Sequence, residues 1–223
     1  MKIAAIIVNR KGSKRIDNKA WQKINGVSLI ERKISQLKKV KGLNNIYVGT
    51  DDLRIKKICK KYKVKFVVRK KFYCDEKKCT ANEMVKNMLN YVDADYILWA
   101  HLTNPFISTK KYQEALSLFL KNKKKFNSLF STTIVKNHFW SNKKKPINHD
   151  PFSKKHIIAT KLQPVFFQNG GIFIRKKSEM ESDGRFVGSK PFMFPMDEIT
   201  GWDLDYPWQM DVAKFLKNKK YAY

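Results

Sequence analysis

The sequence predicts an α/β fold, a doubly wound and mainly parallel sheet with helices on both faces. Three observations carry this. Short apolar runs rich in β-branched residues recur at 3–8, 44–50, 65–68 and 94–101, and the first is apolar on both faces, as a strand covered from both sides must be. Each run is followed by a stretch with helical spacing, so strand and helix alternate four times. The first run also stops abruptly in a cationic loop, Asn9, Arg10, Lys11, Gly12, Ser13, Lys14 and Arg15, with Lys19 shortly after. α/β proteins bind ligands in such loops at the carboxyl ends of their strands.

Taken in order, residues 28–39 place Leu29, Ile30, Ile34 and Leu37 on one helical stripe. After the strand at 44–50, Asp52 is placed to cap a helix running to Tyr62, with Leu53, Ile55, Ile58 and Cys59 as its apolar positions. Residues 65–68 form a third strand and 69–78 a charged loop. Thr80 caps a helix through Tyr91, and 94–101 is a buried strand. Ser108 or Thr109 caps the next helix, through Leu120, and 128–135 is β-rich. Residues 136–164 are polar, contain Pro146 and Pro151 and have no clean helical period, which suits a long loop or an inserted hairpin. Residues 165–175 return to strand character around Gly170 and Gly171, 192–196 is a short strand, and a helix starts near Pro207, a residue suited to a first turn.

At 223 residues, a single domain spanning 1–223 is expected, with 136–164 as an insertion used in acceptor binding or dimerisation. No apolar run approaches the roughly 20 residues of a membrane span, and residues 3–8 run straight into charge rather than into a signal-peptide core. A cytoplasmic protein is expected. The formal net charge of +28 would suit nucleic acid or another polyanion. Yet only Arg10, Arg15, Arg32, Arg54, Arg69, Arg175 and Arg185 among the 47 basic residues are arginines, and the lysines are spread along solvent faces. Bidentate phosphate or base contacts favour arginine, so a nucleic-acid role is the less favoured reading. Cys59, Cys74 and Cys79 give neither a disulfide framework nor zinc spacing.

Two constellations carry chemistry. The 9–19 loop offers cations, a hydroxyl and a glycine to a polyphosphate, although a solvated basic loop has the same composition. Asp203 and Asp205 share a face if the chain is extended there. Magnesium takes one or two such carboxylates and completes its shell with water and phosphate. The same pair would also serve as helix N-caps before Pro207. The loop is neither G-x-x-x-x-G-K-[ST] nor G-x-G-x-x-G, which removes support for P-loop kinases and dinucleotide oxidoreductases. A cationic loop with two carboxylates and no nucleophile–base pair points to attack on a nucleotide phosphate, catalysed by positioning and charge neutralisation.

The stretch IIVNRKGSKRIDNKAWQKINGVSLIERKI resembles the opening of the acylneuraminate cytidylyltransferases, the CMP-sialic acid synthetase family. VGTDD at 48–52, VVR at 67–69 with Thr80 beyond it, HLTNPFIS at 101–108, FFQNGGIFI at 166–174 and WDLD at 202–205 follow in the family's order. The resemblance implies a nucleotidyltransferase (Rossmann-like) fold and a CTP-dependent, Mg2+-dependent cytidylyltransferase. Such an enzyme activates a nonulosonic or sialic-acid-like sugar acid as its CMP derivative, with release of pyrophosphate, for surface glycans. It implies that Asn9, Arg10, Gly12, Ser13, Lys14, Lys19, Arg69 and Thr80 hold the nucleotide. Asp203 and Asp205 would hold the metal, and Arg10 and Lys19 would join them in catalysis. His101, Thr103, Asn104, Gln168 and Asn169 would face the acceptor. It also implies a homodimer formed through the inserted segment.

The chain departs from the family's pattern at Ala20 (usually Asn), at Val8 and Asn9 (Pro and Ala), at His101 (Gln) and at Ile107 (Arg), so the nucleotide half matches better than the acceptor half. Plainer roles stand beside these. His101 would be a hydrogen-bonded residue at a strand end, Asp51 and Asp52 helix caps, Asn169 the shaper of a bulge, and Trp140, Trp202 and Trp208 packing residues. Phe166 and Phe167 would be core or dimer contacts. A related transferase with a sugar phosphate or phosphonate as acceptor, and a basic nucleic-acid-binding protein on an inactive scaffold, are the alternative functions.

Overall fold

The structure, a computed structural model, describes residues 1–218. β1 (Ile3–Val8), β4 (Asn45–Thr50), β5 (Lys65–Val68) and β6 (Tyr96–Ala100) form the parallel half of a seven-stranded sheet. β7 (Ser128–Val135), β8 (Val165–Lys176) and β9 (Pro191–Met196) complete it in the order β5-β4-β1-β6-β8-β7-β9. Only β8 runs against its neighbours, β6 and β7. A two-residue ribbon, β2 (Lys23–Ile24) and β3 (Val27–Ser28), precedes α1 and was not expected from the sequence.

The alternation of β1 accounts for the two-sided cover. Ile3, Ala5 and Ile7 pack under α1 (Leu29–Lys38), α2 (Ile55–Tyr62), α5 (Thr109–Asn122) and α7 (Pro207–Asn218), whereas Ala4 and Ile6 face α4 (Ala81–Leu89) and α6 (Lys177–Asp183). The helix starts follow capping chemistry. Ser28 Oγ accepts from Glu31 N, Ser108 from Lys111 N, and Thr80 and Glu83 form a reciprocal capping box.

Several boundaries differ from expectation. Asp52 does not cap α2. The helix begins at Ile55, and Asp52 instead holds the Arg54 guanidinium and the Trp21 indole N–H, which keeps its carboxyl down at about 2. The charged loop after β5 contains one helical turn, α3 (Lys71–Cys74), and α4 ends at Leu89 rather than Tyr91. α6, only seven residues long, had no visible period. Residues 136–164 form a long loop between β7 and β8, stitched by a single bridge from Trp140 to Pro146 and by the Asn148 side chain, which receives Phe139 N. No helix among the described residues is long and apolar enough to cross a membrane.

One core position breaks the apolar pattern. Lys33 lies on the buried stripe of α1 with Ile30, Ile34 and Leu37 and is fully inaccessible. Burial pushes its pKa from 10.5 down to about 7. Below that pH, folded and unfolded chains both carry the proton, and the folded chain bears the cost of a buried charge. Between about pH 7 and 10 the unfolded chain still binds the proton and the folded one does not, so stability rises with pH across that window. Replacing Lys33 by Met is expected to flatten this rise in denaturant unfolding series; parallel pH curves for the two proteins would refute it.

Candidate active site

The carboxyl edge of the parallel strands opens into a cleft of about 560 Å3. Four segments line it: residues 9–19 after β1, 69–84 after β5, 101–103 after β6, and the strap carrying Asp203 and Asp205 before α7. The loop after β1 is shaped by its backbone. Gly12 turns it at a φ of 73°, and Asn18, also left-handed, starts the 3-10 turn Lys19–Trp21. Lys19 is thereby aimed across the cleft. Its ammonium donates to Leu204 O at 2.8 Å and lies 3.4 Å from Asp205 Oδ1. Desolvation lowers its pKa, while Asp205 and Asp203 act against that.

Asp205 is also paired with the Arg15 guanidinium at 2.9 Å, which stacks over Tyr206. Asp203 is different. Its Oδ1 is buried and has no partner, and desolvation raises its pKa, opposed by a hydrogen bond from the Thr103 hydroxyl. Neither aspartate caps α7. Gln209 Oε1 receives the amides of Asp205 and Tyr206 instead. Two carboxylates on one wall, one with a bare buried oxygen, suit a cation that needs few protein ligands. No larger metal-holding group of His, Cys, Asp and Glu exists among the described residues. The donor set fits magnesium.

On the opposite wall, the Arg10 guanidinium meets Glu76 at 3.1 Å and Lys14 approaches the same carboxylate at 3.5 Å. Arg10 holds Glu76 below the ordinary carboxylate range. Glu76 and Arg15 were not anticipated as site residues. Glu76 had no signal within its charged loop, whereas Arg15 belongs to the RKGSKR run and stood in plain view. Arg69 is buried at the end of β5, donates to Tyr73 O and keeps its Nε without a partner. Gly49 makes room for it: a Cβ there would sit 2.5 Å from Met88 Sδ and 3.0 Å from Arg69 Cδ. Asn9, one residue beyond β1, bonds Gly49 O through its amide N–H and leaves both side-chain polar atoms buried and unpartnered. Thr80 also lines the cleft, its hydroxyl committed to the capping box. Ala20 is buried in the core at the cleft's edge.

Of the acceptor-side residues, His101 and Thr103 line the cleft; Asn104, Gln168 and Asn169 do not. Asn104 is fully buried and its amide donates to Asn169 O at 3.0 Å and Gly201 O at 3.3 Å. Asn169 accepts from Ser131 Oγ and Gly171 N and donates to Thr133 Oγ1, locking β8 to β7. Gln168 is exposed on β8 opposite Thr132. The two asparagines are thus committed to building the wall rather than to facing its contents.

A cationic strand-end loop facing a carboxylate pair, on a parallel sheet covered from both sides, defines a nucleotidyltransferase. The cytidylyltransferase family profile matches residues 4–202, and the chain belongs to that family. It is 23% identical to post-translational flagellin modification protein B of Campylobacter coli, over 98% of this chain and 96% of that one. It is 30% identical to 8-amino-3,8-dideoxy-manno-octulosonate cytidylyltransferase of Shewanella sp. (strain ANA-3), over 56% of this chain and 51% of that one. The fold superposes with a TM-score of 0.69 on CMP:2-keto-3-deoxy-manno-octonic acid synthetase solved with CTP, at 15% identity, covering 98% of this chain and 99% of that one.

His101 packs against the rings of Phe173 and Phe186, and burial, aided by Lys33 and Lys19, pushes its pKa down to about 4. The imidazole is neutral at physiological pH. An imidazole NMR titration is expected to show His101 unprotonated throughout pH 5–8, and a midpoint above 6 would contradict this environment.

Proposed function

We propose that this chain transfers the cytidylyl group of CTP to an anionic sugar acid of the octulosonate or nonulosonate (sialic-acid-like) type. The products are the CMP sugar and pyrophosphate, made in the cytoplasm for a surface glycan. The observation that carries this reading is the Lys19 contact, which joins the cationic loop to Leu204 O and Asp205 on the strap that also carries Asp203. The names of the relatives above support the acceptor class.

In this reading Arg10, Ser13, Lys14 and Lys19 grip the triphosphate, and Gly12 turns the loop that carries them. Arg69, Asn9 and Thr80 stand at the nucleoside end. Asp203 and Asp205 would hold magnesium, which supplies neutralisation of phosphate charge. An acceptor hydroxyl oxygen attacks the α-phosphorus, the bond from that phosphorus to the bridging oxygen breaks, and pyrophosphate leaves with the electron pair. The hydroxyl proton passes to solvent or phosphate. Lys19, whose two acidic neighbours oppose the desolvation that lowers its pKa, can follow the negative charge that develops as pyrophosphate departs. His101 and Thr103 offer hydrogen bonds to the acceptor. His101, being neutral, neither repels a cation nor pairs with the acceptor's carboxylate.

The test is pyrophosphate release from CTP and magnesium against a panel of octulosonic and nonulosonic acids, with sugar phosphates as controls. Turnover with at least one sugar acid is expected. Absence of turnover with all of them, together with no thermal shift by CTP, would sink the reading.

Residues 136–164 and the start of β8 expose Trp140, Ile147, Phe152, Ile157, Phe166 and Phe167. A cluster of large apolar side chains on one loop region suits an interface between copies, and we assign it to a homodimer. Analytical ultracentrifugation is expected to give a dimer that Phe152→Asp with Phe167→Asp converts to monomer; a monomeric wild-type chain would refute it.

A further inference from the structure

Lys33 reaches out of α1 into the sheet's core and meets no carboxylate among the described residues. Its ammonium donates to Asn104 O at 2.8 Å and to the buried Tyr112 hydroxyl at 2.5 Å, and lies 4.8 Å from the Tyr112 ring centroid. An apolar side chain would fill this stripe position without the desolvation cost of a charge. What the ammonium gains is a grip on one backbone carbonyl.

That carbonyl belongs to the residue that ties the loop after β6 to the metal strap. Asn104 Nδ2 donates to Asn169 O and Gly201 O, and the next residue back, Thr103, receives Leu204 N at 2.8 Å through its carbonyl. The Thr103 side chain acts on Asp203, lowering its pKa against desolvation, and Leu204 O receives Lys19. One turn along α1, Gln36 Nε2 donates to Pro105 O at 2.9 Å, so the helix holds two successive carbonyls of the same loop. The polar path runs from α1 through residues 103–105 to residues 201–205.

We propose that Lys33 is a positioning residue: by fixing the Asn104 carbonyl it holds residues 103–105 against the strap and keeps Asp203 and Asp205 aimed together into the cleft. This rests on the metal role proposed above for the two aspartates. The groups that face Lys33 are Tyr112 from α5 and the Asn104 carbonyl from the loop after β6, with Arg32 beside it on α1 and His101 within its field. None of them is acidic at neutral pH, so the ammonium's attachments are the loop carbonyl and the phenol. Nothing in the basic loop after β1 is bonded to Lys33, and the path touches that loop at the bond from Lys19 to Leu204 O, so metal binding is expected to suffer more than triphosphate binding.

The experiment uses the full chain with Lys33→Met and, independently, Asn104→Ala, which cuts the next link. Mn2+ alone is titrated by electron paramagnetic resonance, CTP binding is measured calorimetrically without divalent ions, and pyrophosphate release is followed against magnesium concentration. Both variants are expected to bind Mn2+ about tenfold more weakly, as loss of an outer-shell support typically does. They are also expected to need correspondingly more magnesium for turnover, while metal-free CTP affinity falls less than Mn2+ affinity does. Unchanged Mn2+ affinity in both, or an equal loss of Mn2+ and CTP binding, overturns the proposal. If Lys33→Met fails to fold, Lys33→Leu is measured in its place, and wild-type Mn2+ affinity in it is the overturning result. A wild-type chain that binds no Mn2+ overturns the metal reading of the aspartates and the Lys33 proposal with it, whereas wild-type binding with unaltered variants overturns only Lys33.

Discussion

The contact on which the cleft depends is that of Lys19 with Leu204 O and Asp205, which joins the first loop of the chain to the last strap before α7. It spans 185 residues in sequence to Leu204. It costs something to make, because a half-buried ammonium is desolvated, and the neighbouring carboxylates offset that cost. The ammonium satisfies a backbone carbonyl and a carboxylate at once. The strap is thereby pulled over the edge of the sheet. Without this crossing, the cations after β1 and the carboxylates before α7 would be two separate charged surfaces. With it they form one site in which positive and negative groups are held a few ångströms apart.

The cleft is also largely self-neutralised. Glu76 lies between Arg10 and Lys14, and Asp205 between Arg15 and Lys19. A chain of net charge +28 draws polyanions of every kind to its surface. Inside the cleft an anion must instead displace a carboxylate already in place, so it gains only the difference between two partners. A triphosphate with several oxygens can replace Glu76 on both cations together; a lone phosphate replaces it less well. Glu76 is mostly exposed, so the displacement is cheap.

The parallel half of the sheet was legible because β-branched runs and amphipathic stretches alternate, and the caps at Thr80 and Ser108 sit where hydroxyl chemistry puts them. The cationic loop and the aspartate pair were legible as residue types. Their meeting was not, since it depends on a contact between the two ends of the chain. The acceptor wall was read least well. Asn104 and Asn169 look in sequence like polar residues facing a ligand, but each is buried and hydrogen-bonded to backbone or hydroxyl groups of β7, β8 and the strap. Sequence shows that an amide is present and says nothing of which way it points. Asp52 differs for a related reason: its oxygens receive the Arg54 amide and guanidinium and the Trp21 indole, and the helix starts only at Ile55. Lys33 was invisible because one more lysine in so basic a chain carries no signal.

The buried groups on the acceptor side share one property. Lys33 has no carboxylate partner among the described residues, His101 is held neutral, and the Tyr112 hydroxyl is pushed far from ionisation by burial. Each has lost water and none has gained an acidic neighbour. In a region of low effective dielectric such groups hold an electrostatic potential that bulk water would screen. Lys33 and Lys19 both act to depress the pKa of His101, after the larger effect of burial. On the nucleotide side Arg10, Lys14, Arg15 and Lys19 each have a carboxylate partner. The two halves therefore differ in kind: the cations of the loop after β1 are neutralised by carboxylates a few ångströms away, whereas Lys33, His101 and Tyr112 meet burial without an acidic neighbour.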